Sequence, residues 1–239
     1  MIAPMIPIIA HRTCPLHAPD NSLAGIRKAA ELRADGVEID VRRSLDGVPV
    51  LMHDRSPRRT AGLPGPVRFY PSFVLRRARL RGSDERVPTL AEALDALPAP
   101  LFIAIEIKDA ATARRTLELV RERALEPRVL MWSYREAAVR YFAQEAPEIE
   151  SALLRDDVDP EGVRHFLEDA TAFGARAISA HYAAINPQFV AEAHQRRLRV
   201  YSWIRDLESV EKKVSAGLDS IVTDQPAEVR AILEGAAAR

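Results

Sequence analysis

The stretch from Gly36 to Asp54, GVEIDVRRSLDGVPVLMHD, decides the fold and carries the first candidate ligands. Val37 to Val41 is an apolar run rich in β-branched residues, which predicts a buried strand. Glu38 and Asp40 are two positions apart in this run, so both side chains lie on one face of the strand. Two neighbouring buried carboxylates repel each other and resist ionisation unless a cation or strong donors lie between them. The strand therefore predicts a metal site or an arginine partner.

The second half of the same stretch predicts a β-hairpin. Asp46-Gly47 lies between two β-rich runs, which is a good signal for a tight turn. With the turn centred there, residue i faces residue 93 − i, so His53 falls opposite Asp40. A short parallel strand would also bring His53 to this place. The alternative interpretation is an amphipathic hairpin whose acids are solvated.

Outward from this stretch, strand-like runs and helical patterns alternate along the whole chain. Apart from the hairpin arm there are eight such strands, beginning near residues 6, 37, 101, 129, 150, 177, 199 and 220. Eight strand–helix units in one chain of 239 residues predict an α/β fold, a closed parallel (β/α)8 TIM barrel. An open doubly wound sheet is the alternative, but the first strand is not followed by a glycine-rich nucleotide fingerprint.

The chain predicts a single domain over residues 1–239, because it contains no Gly/Ser-rich linker and no low-complexity segment. After the second strand comes an Arg- and Pro-rich insertion, residues 55–87, which is long for an ordinary loop and predicts a cap over a site. Thr89, followed by Glu92 three residues later, predicts the capped start of the next helix.

Composition narrows the class of protein. The chain has 34 basic and 34 acidic residues and no net charge, which gives no reason to expect nucleic acid or an anionic membrane as partner. A single cysteine, Cys14, excludes an internal disulfide and fits a reducing compartment. No apolar run approaches the roughly 20 residues of a membrane span, and MIAPMIPIIAHR lacks a basic leader region. We therefore expect a cytoplasmic protein without stable membrane insertion.

In a barrel of this kind the site lies at the carboxyl ends of the strands, so the residues that end each strand are the candidates. AIEIK places Glu106 and Lys108 on one face, adding a third carboxylate and a cation to Glu38 and Asp40. Carboxylate ligands without cysteine favour a hard cation, Mg²⁺ or Ca²⁺. The alternative is that Lys108 simply neutralises Glu106. The full set of charged, histidine and tryptophan side chains at these ends is His11, Arg12, Glu38, Asp40, Glu106, Lys108, Trp203 and Asp224.

Two histidines, His11 and His53, arrive at the same rim from different segments. With ordinary pKa values of about 6.5, they are suited to act as general base and general acid on a metal-bound phosphodiester. Arg12 and Lys108 are placed to hold the non-bridging phosphate oxygens. A packed or surface role is the alternative for each histidine taken alone.

Seven ordered blocks between about Ile8 and Pro226 resemble the motifs of the glycerophosphodiester phosphodiesterases: AHR, PDNS, VEIDVRRSLDGVPVLMHD, RVPTLAEAL, FIAIEIK, VYSW and GLDSIVTDQP. The resemblance implies a (β/α)8 barrel that hydrolyses glycerophosphodiesters to glycerol 3-phosphate and an alcohol, with a divalent metal ion as cofactor and a small-molecule substrate. It implies that the metal ligands are Glu38, Asp40 and Glu106, that the acid/base pair is His11 and His53, and that Arg12 and Lys108, to which we add Trp203, contact the phosphate or substrate.

The chain departs from the family pattern at three positions: Thr13, Asp20 and Asp206, the last near a place where asparagine is common. Thr13 stands where the family usually has glycine, which removes easy access to positive φ. Asp20 stands where glutamate is usual; if this acid orients Arg12 or a metal-bound water, the contact would be longer or the backbone shifted. The first two departures support one alternative, a barrel that binds phosphoesters without turnover.

A second alternative is lysophospholipase D-like action on lysophospholipids. Phe69, Tyr70 and Phe73 of the insertion are followed at once by arginines, a combination that suits a lipid tail and headgroup or simply a packed loop. For either substrate the attacking group is water or a hydroxyl of the substrate itself through a cyclic phosphate.

Overall fold

A computed structural model describes residues 6–237. Eight parallel strands form a (β/α)8 TIM barrel, and a ninth, β3, is a short antiparallel arm, as the alternation predicts. The strands are β1 Ile8–Ala10, β2 Gly36–Arg43, β3 Pro49–Leu51, β4 Phe102–Ile107, β5 Val129–Ser133, β6 Glu150–Arg155, β7 Ala177–His181, β8 Arg199–Trp203 and β9 Ser220–Thr223. The prediction that the chain lacks a basic leader region rests partly on residues 1–5, which lie outside the described residues.

The barrel closes at its first strand. β1 pairs in parallel with β2 on one side and with β9 on the other. The remaining neighbours are also parallel, and the register of β2 on β4 places Asp40 beside Glu106. Two of the predicted ligands are thus adjacent across a pair of hydrogen-bonded strands.

Helices cover the outside of the barrel, and several begin at residues that cap them. Ser22 accepts a hydrogen bond from the Gly25 N–H, and Thr89 and Glu92 form the predicted capping box. Within the described residues, none of the helices combines the length and apolarity needed to cross a membrane. The helices are α1 Leu23–Glu31, α2 Arg58–Ala61, α3 Ser72–Leu75, α4 Leu90–Asp95, α5 Ala113–Arg121, α6 Glu136–Glu145, α7 Pro160–Ala172, α8 Pro187–Gln195, α9 Val210–Ser215 and α10 Pro226–Ala237.

The interior of the barrel is a packed floor beneath the carboxyl ends of the strands. Aromatic rings and smaller apolar side chains fill it, with Trp132 and Tyr201 in tilted contact at 5.1 Å between ring centres. The Tyr201 hydroxyl is 2.6 Å from a Glu150 carboxylate oxygen, which gives this buried polar group a partner. Because the floor fills the barrel, polar side chains accumulate at one end, where the strands finish.

The predicted hairpin forms, but its predicted register is wrong by one residue. β3 is antiparallel to β2, with Val41 facing Leu51 and Arg43 facing Pro49, so residue i faces residue 92 − i. The reason lies in the loop: the Ser44 N–H donates to the Val48 carbonyl, and Gly47 takes a φ of +83°. This is a three-residue loop with glycine in the left-handed position, whereas the prediction assumed a two-residue turn.

The insertion at residues 55–87 packs against the hairpin arm through an apolar cluster of its own. This cluster joins Val50 and Met52 of the arm to Val67, Leu75, Leu80 and Val87 of the insertion. Phe69 and Phe73, by contrast, are 61% and 56% exposed. The insertion is therefore an ordered elaboration of the barrel, and its function as a cap stays a prediction.

Candidate active site

Three carboxylates meet at the carboxyl end of the barrel. Glu38 and Asp40 come from β2 and Glu106 from β4, and at most 7% of each is exposed. One oxygen from each of the three lies within 4.8 Å of the others. The β2 spacing and the β2–β4 register together produce this cluster, as the sequence predicts.

The pKa values of the three carboxylates are shifted in different directions. Burial raises the pKa of Glu38 well above its usual range, and the neighbouring charges of Asp40 and Glu106 add to the effect. Burial likewise raises the pKa of Glu106, to about 7, against the opposing pull of Lys108. For Asp40 burial is outweighed by Lys108, His53, Asn21 and Arg12, and its pKa falls below the usual value. The cluster is therefore short of positive charge.

Lys108 supplies part of that charge. Its Nζ lies 2.6 Å from Glu106 Oε1 and 2.9 Å from Asp40 Oδ1. Burial lowers the pKa of Lys108, but the two carboxylates outweigh burial and raise it, which keeps the ammonium charged. The ion pair that we considered as an alternative is thus present. One ammonium, however, does not balance three carboxylates.

Asn21 is a site residue that the sequence reasoning missed. Its Nδ2 donates to Asp40 Oδ2 at 2.7 Å, and the Asp40 N–H donates to Asn21 Oδ1 at 2.8 Å. This two-way amide contact fixes the Asp40 carboxylate in the cluster. The PDNS block was the available signal, but nothing in its residues indicated a partner 19 positions away.

The loop after β1 brings Arg12 to the cluster through unusual backbone angles. Arg12, Thr13 and Cys14 have φ values of +43°, +61° and +65°. In this conformation the Arg12 N–H donates to Glu38 Oε2 at 2.8 Å, and Arg12 Nε lies 3.8 Å from Asp40 Oδ2. Threonine therefore adopts the left-handed region even though it lacks the freedom of glycine.

His11 is held by a carboxylate from the last strand's end. Its Nδ1 is 2.6 Å from Asp224 Oδ1, and its ring packs against Trp203 at 4.4 Å between ring centres. The guanidinium of Arg205 stacks on the same indole at 4.0 Å. These contacts fix the imidazole and leave Nε2 as the remaining ring nitrogen. Asp224 ends a strand in the sequence, but its partner was not predicted.

His53 is also held by a carboxylate at its Nδ1 atom. Its Nδ1 is 2.8 Å from Asp54 Oδ1, and the Asp54 carboxylate also accepts from Arg59 at 2.6 Å. Arg59 in turn pairs with Asp20 at 2.8 Å. Asp20 thus pairs with the insertion, whereas the ion pair of Arg12 in the described residues is with Asp40. Burial lowers the pKa of His53 although Asp40 and Asp54 oppose it.

One cavity of about 740 Å³, hereafter the site cavity, joins these groups. Seven of the eight predicted site residues line it, while Asp40 lies buried just beneath. Nothing in the sequence singled out Tyr134 and Asp156, which also line the site cavity and hydrogen-bond to each other at 3.1 Å. The full lining is His11, Arg12, Glu38, His53, Glu106, Lys108, Trp132, Tyr134, Leu154, Asp156, Val158, Ser179, His181, Trp203 and Val222.

Chemically, the arrangement combines a buried carboxylate cluster with two anchored imidazoles. Oxygen atoms bound to one Ca²⁺ or Mg²⁺ lie up to about 4 to 5 Å apart, which is twice the usual metal–oxygen distance, and the 4.8 Å cluster fits that range. Imidazoles whose Nδ1 is held by a carboxylate are suited to proton transfer at Nε2.

Solved structures with similar folds include two phosphodiesterases. One is a glycerophosphodiester phosphodiesterase from Parabacteroides distasonis, with a TM-score of 0.84, 23% identity and coverage of 97% of this chain and 98% of that one. The other is a phosphodiesterase from Oleispira antarctica, solved in complex with the product sn-glycerol-3-phosphate, with a TM-score of 0.86, 23% identity and coverage of 95% and 96%. At these identities the likeness shows the fold.

Sequence comparison gives the relationship. The glycerophosphodiester phosphodiesterase of Caldanaerobacter subterraneus subsp. tengcongensis is 28% identical over 235 residues, covering 92% of this chain and 94% of the relative. The glycerophosphodiester phosphodiesterase of Bacillus altitudinis is 27% identical over 239 residues, covering 93% and 96%. A family model described as the glycerophosphoryl diester phosphodiesterase family matches residues 11–228. The chain belongs to the glycerophosphoryl diester phosphodiesterase family.

Proposed function

We propose that this protein is a metal-dependent phosphodiesterase that hydrolyses glycerophosphodiesters to glycerol 3-phosphate and an alcohol. The observation that carries the proposal is the convergence, on one cavity, of a buried carboxylate cluster and two histidines that are each held by a carboxylate. Membership of the family supports it, as does the product found in the related structure from Oleispira antarctica.

Glu38, Asp40 and Glu106 are the proposed metal ligands. All three donors are carboxylate oxygens, which favours Mg²⁺ or Ca²⁺ over softer ions. The raised pKa values of Glu38 and Glu106 support the assignment, because a bound cation would favour the ionised carboxylates, which burial and the neighbouring negative charges oppose. A cation bound there supplies positive charge to the phosphoryl oxygens of the substrate.

His11 and His53 are the proposed acid/base pair. Asp224 and Asp54 hold their Nδ1 atoms, so each imidazole presents Nε2 to accept or donate a proton. One histidine takes the proton of the attacking group, which is water or a hydroxyl of the substrate, and the other protonates the departing alkoxide. Each such role contributes about 10²- to 10⁴-fold to a rate.

Arg12, Lys108 and Trp203 are the proposed contacts to the phosphate or substrate. Within residues 6–237, neither Arg12 Nε nor Trp203 Nε1 has a hydrogen-bond acceptor, although both atoms are buried. A buried donor without a protein partner is costly unless a ligand accepts from it. Phosphate oxygens are such acceptors, and guanidinium groups match their geometry.

Turnover of a soluble glycerophosphodiester tests the proposal. We expect activity that EDTA abolishes and that Mg²⁺ or Ca²⁺ restores, and a loss of about 10²- to 10⁴-fold in His11→Ala and in His53→Ala. His165→Ala is the matched control, since His165 is exposed on α7, outside the site cavity. Unchanged rates in both active-site variants would refute the assignment, and bound phosphate without turnover under any divalent ion would favour a non-catalytic barrel.

Lysophospholipids are a second candidate substrate, favoured by two exposed rings of the insertion. Phe69 and Phe73 project beside Arg68 and Arg77, whose guanidinium carbons lie 5.2 and 5.8 Å from the respective ring centres. Aromatic and cationic groups side by side suit a lipid tail and headgroup. Higher activity on micellar lysolipids than on soluble diesters, lost in Phe69→Ser/Phe73→Ser, would select this substrate. A single domain over residues 1–239 and a cytoplasmic location stay predictions.

A further inference from the structure

A second cavity, of about 450 Å³, adjoins the site cavity, and the side chain of Lys108 lines both. The hairpin, the insertion and the segments that follow β4 and β5 form its walls. Five of its lining residues are arginines, so we call it the arginine cavity: Arg42, Arg43, Arg55, Arg68 and Arg135.

The positive charge of the arginine cavity is not balanced by the protein. Asp109 is the acidic residue in its lining, so one carboxylate faces five arginines and Lys108. None of the five arginines forms an ion pair with a carboxylate within the described residues.

The excess of positive charge in the arginine cavity is not a property of the overall composition. The chain as a whole is neutral, with 34 basic and 34 acidic residues. Elsewhere arginines pair repeatedly with acids, as Arg115 does with Glu118 and Glu122 at 3.1 and 2.8 Å. Segments distant in sequence thus place like charges around the arginine cavity. A cleft lined by one sign of charge concentrates the electrostatic field of those charges. An anion relieves the repulsion between them.

The type of anion follows from guanidinium chemistry. Arginine presents a planar fork of donors that matches two oxygens of a phosphate, and such charge-assisted hydrogen bonds are stronger than neutral ones. Arg42 also connects the cavity to the proposed chemistry, since its Nε and Nη2 donate to the His53 carbonyl at 2.9 and 2.7 Å. The arginine cavity therefore lies directly behind one proposed catalytic histidine and beside one proposed phosphate ligand.

We propose that the arginine cavity is a second anion-binding subsite, which takes a phosphate group next to the diester that the site cavity holds. This proposal rests on the proposed function, because the phosphate group belongs to the substrate. That substrate is a glycerophosphodiester whose alcohol carries its own phosphate. Free inorganic phosphate has the same chemistry and is the other source, which the experiment distinguishes.

Kinetics with two substrates test the substrate-borne phosphate. One diester has an uncharged alcohol and the other has the same alcohol carrying a terminal phosphate. We expect Arg68→Gln/Arg135→Gln to lower kcat/KM for the phosphorylated diester by roughly tenfold for each arginine, with little change for the uncharged one. Arg164→Gln/Arg197→Gln removes the same charge from exposed positions without ion pairs in the described structure and should alter neither.

A calorimetric titration with inorganic phosphate in EDTA tests the subsite without requiring turnover. We expect Arg68→Gln/Arg135→Gln to weaken or remove one phosphate site that the wild type and the Arg164→Gln/Arg197→Gln control retain. Loss of that site with an unchanged preference between the two diesters would assign it to free phosphate. Equal phosphate binding in both double variants, with equal preference, would overturn the proposal. If the wild type turns over neither diester, the proposed function fails, while the titration still decides the subsite.

Should the double variant unfold at the assay temperature, Arg68→Gln alone provides the same comparison. Arg68 is exposed, and its guanidinium contacts the ring of Phe69 rather than the core. Its expected effect is roughly tenfold on the phosphorylated diester and on phosphate affinity. No effect on either would contradict the subsite.

Discussion

Asp40 and Glu106 are neighbours across two strands, yet their surroundings give them opposite tendencies to ionise. Asn21 and Lys108 hold Asp40 as a carboxylate, so its pKa is low despite complete burial. Glu106 shares Lys108 but has less compensation, and burial raises its pKa to about 7. At the level of single residues the cluster therefore holds one permanent anion and neighbours that a cation would help to ionise.

Asp224 provides a residue-level test of how His11 is held. Asp224→Asn keeps the size of the side chain but removes the charge that faces Nδ1 at 2.6 Å. If Asp224 orients the imidazole, kcat should fall roughly tenfold to hundredfold, less than in His11→Ala, with a smaller change in KM. Initial rates over a range of substrate concentration measure both quantities.

The chain contains a matched control for that variant. His194 Nε2 and Asp219 Oδ2 form a similar pair at 2.8 Å, outside the site cavity. Asp219→Asn should leave kcat unchanged, although it costs some stability because Asp219 also accepts from the Val200 N–H. A kcat equally low in both variants would mean that a general loss of structure, rather than the orientation of His11, explains the effect.

At the level of elements, α1 is fitted to the strained loop that follows β1. Thr13 is buried, and its Oγ1 accepts from the Ser22 N–H at 3.1 Å. Gly25, on the first turn of α1, faces this residue so closely that an added Cβ would lie 2.1 Å from the Thr13 carbonyl oxygen. The helix can therefore approach the loop only through glycine, and the loop in turn positions Arg12.

We expect Gly25→Ala to destabilise the protein by at least about 2 kcal/mol, because backbone atoms rather than a flexible side-chain end must move. The displaced loop carries His11 and Arg12, so kcat/KM should fall as well. Gly235→Ala is the control: its added Cβ meets nothing within 4 Å on α10, and helix propensity predicts a gain of about 0.5 to 1 kcal/mol. Chemical denaturation measures both, and equal stability of the two variants would contradict the close approach.

The hairpin shows what an element's sequence predicts and what it does not. Its two strands and their turn follow from β-rich runs around Asp46-Gly47, but the register depends on how the loop closes. Asp46 accepts from the Ser44 hydroxyl at 2.6 Å and from the Ser72 N–H at 2.9 Å. Ser72 belongs to the insertion, so a distant segment helps to select the three-residue loop. His53 consequently reaches the site from beyond the strand's end rather than from a position opposite Asp40.

For the whole molecule, the order of strands and helices was predictable because each element carries its own periodic pattern. The barrel geometry then determined the meeting of Glu38, Asp40 and Glu106, since parallel strands end on one side. Pairs between separate loops were not predictable: Asp20 with Arg59 depends on how the insertion docks. The arginine cavity likewise combines loops that share no local signal.

The carboxylate cluster also makes the stability of the whole molecule depend on pH. In EDTA, Glu106 has a pKa of about 7 when folded and about 4.5 when unfolded. The folded state therefore holds more protons between these values, and the free energy of unfolding should fall by at most about 3 kcal/mol as the pH rises from 5 to 8.

Glu38 acts in the same direction, whereas His53, whose pKa is lowered, acts in the opposite one. Glu106→Gln retains both of those groups, so the difference between the two unfolding profiles reports Glu106 together with the part of the Glu38 shift that the charge of Glu106 causes. Mg²⁺ or Ca²⁺ at 100 times its Kd should stabilise the wild type at pH 8 by about 2.7 kcal/mol and the variant by less. Parallel pH profiles would show that Glu106 does not titrate in this range. Equal stabilisation of both proteins by the ion would show that Glu106 does not bind the cation.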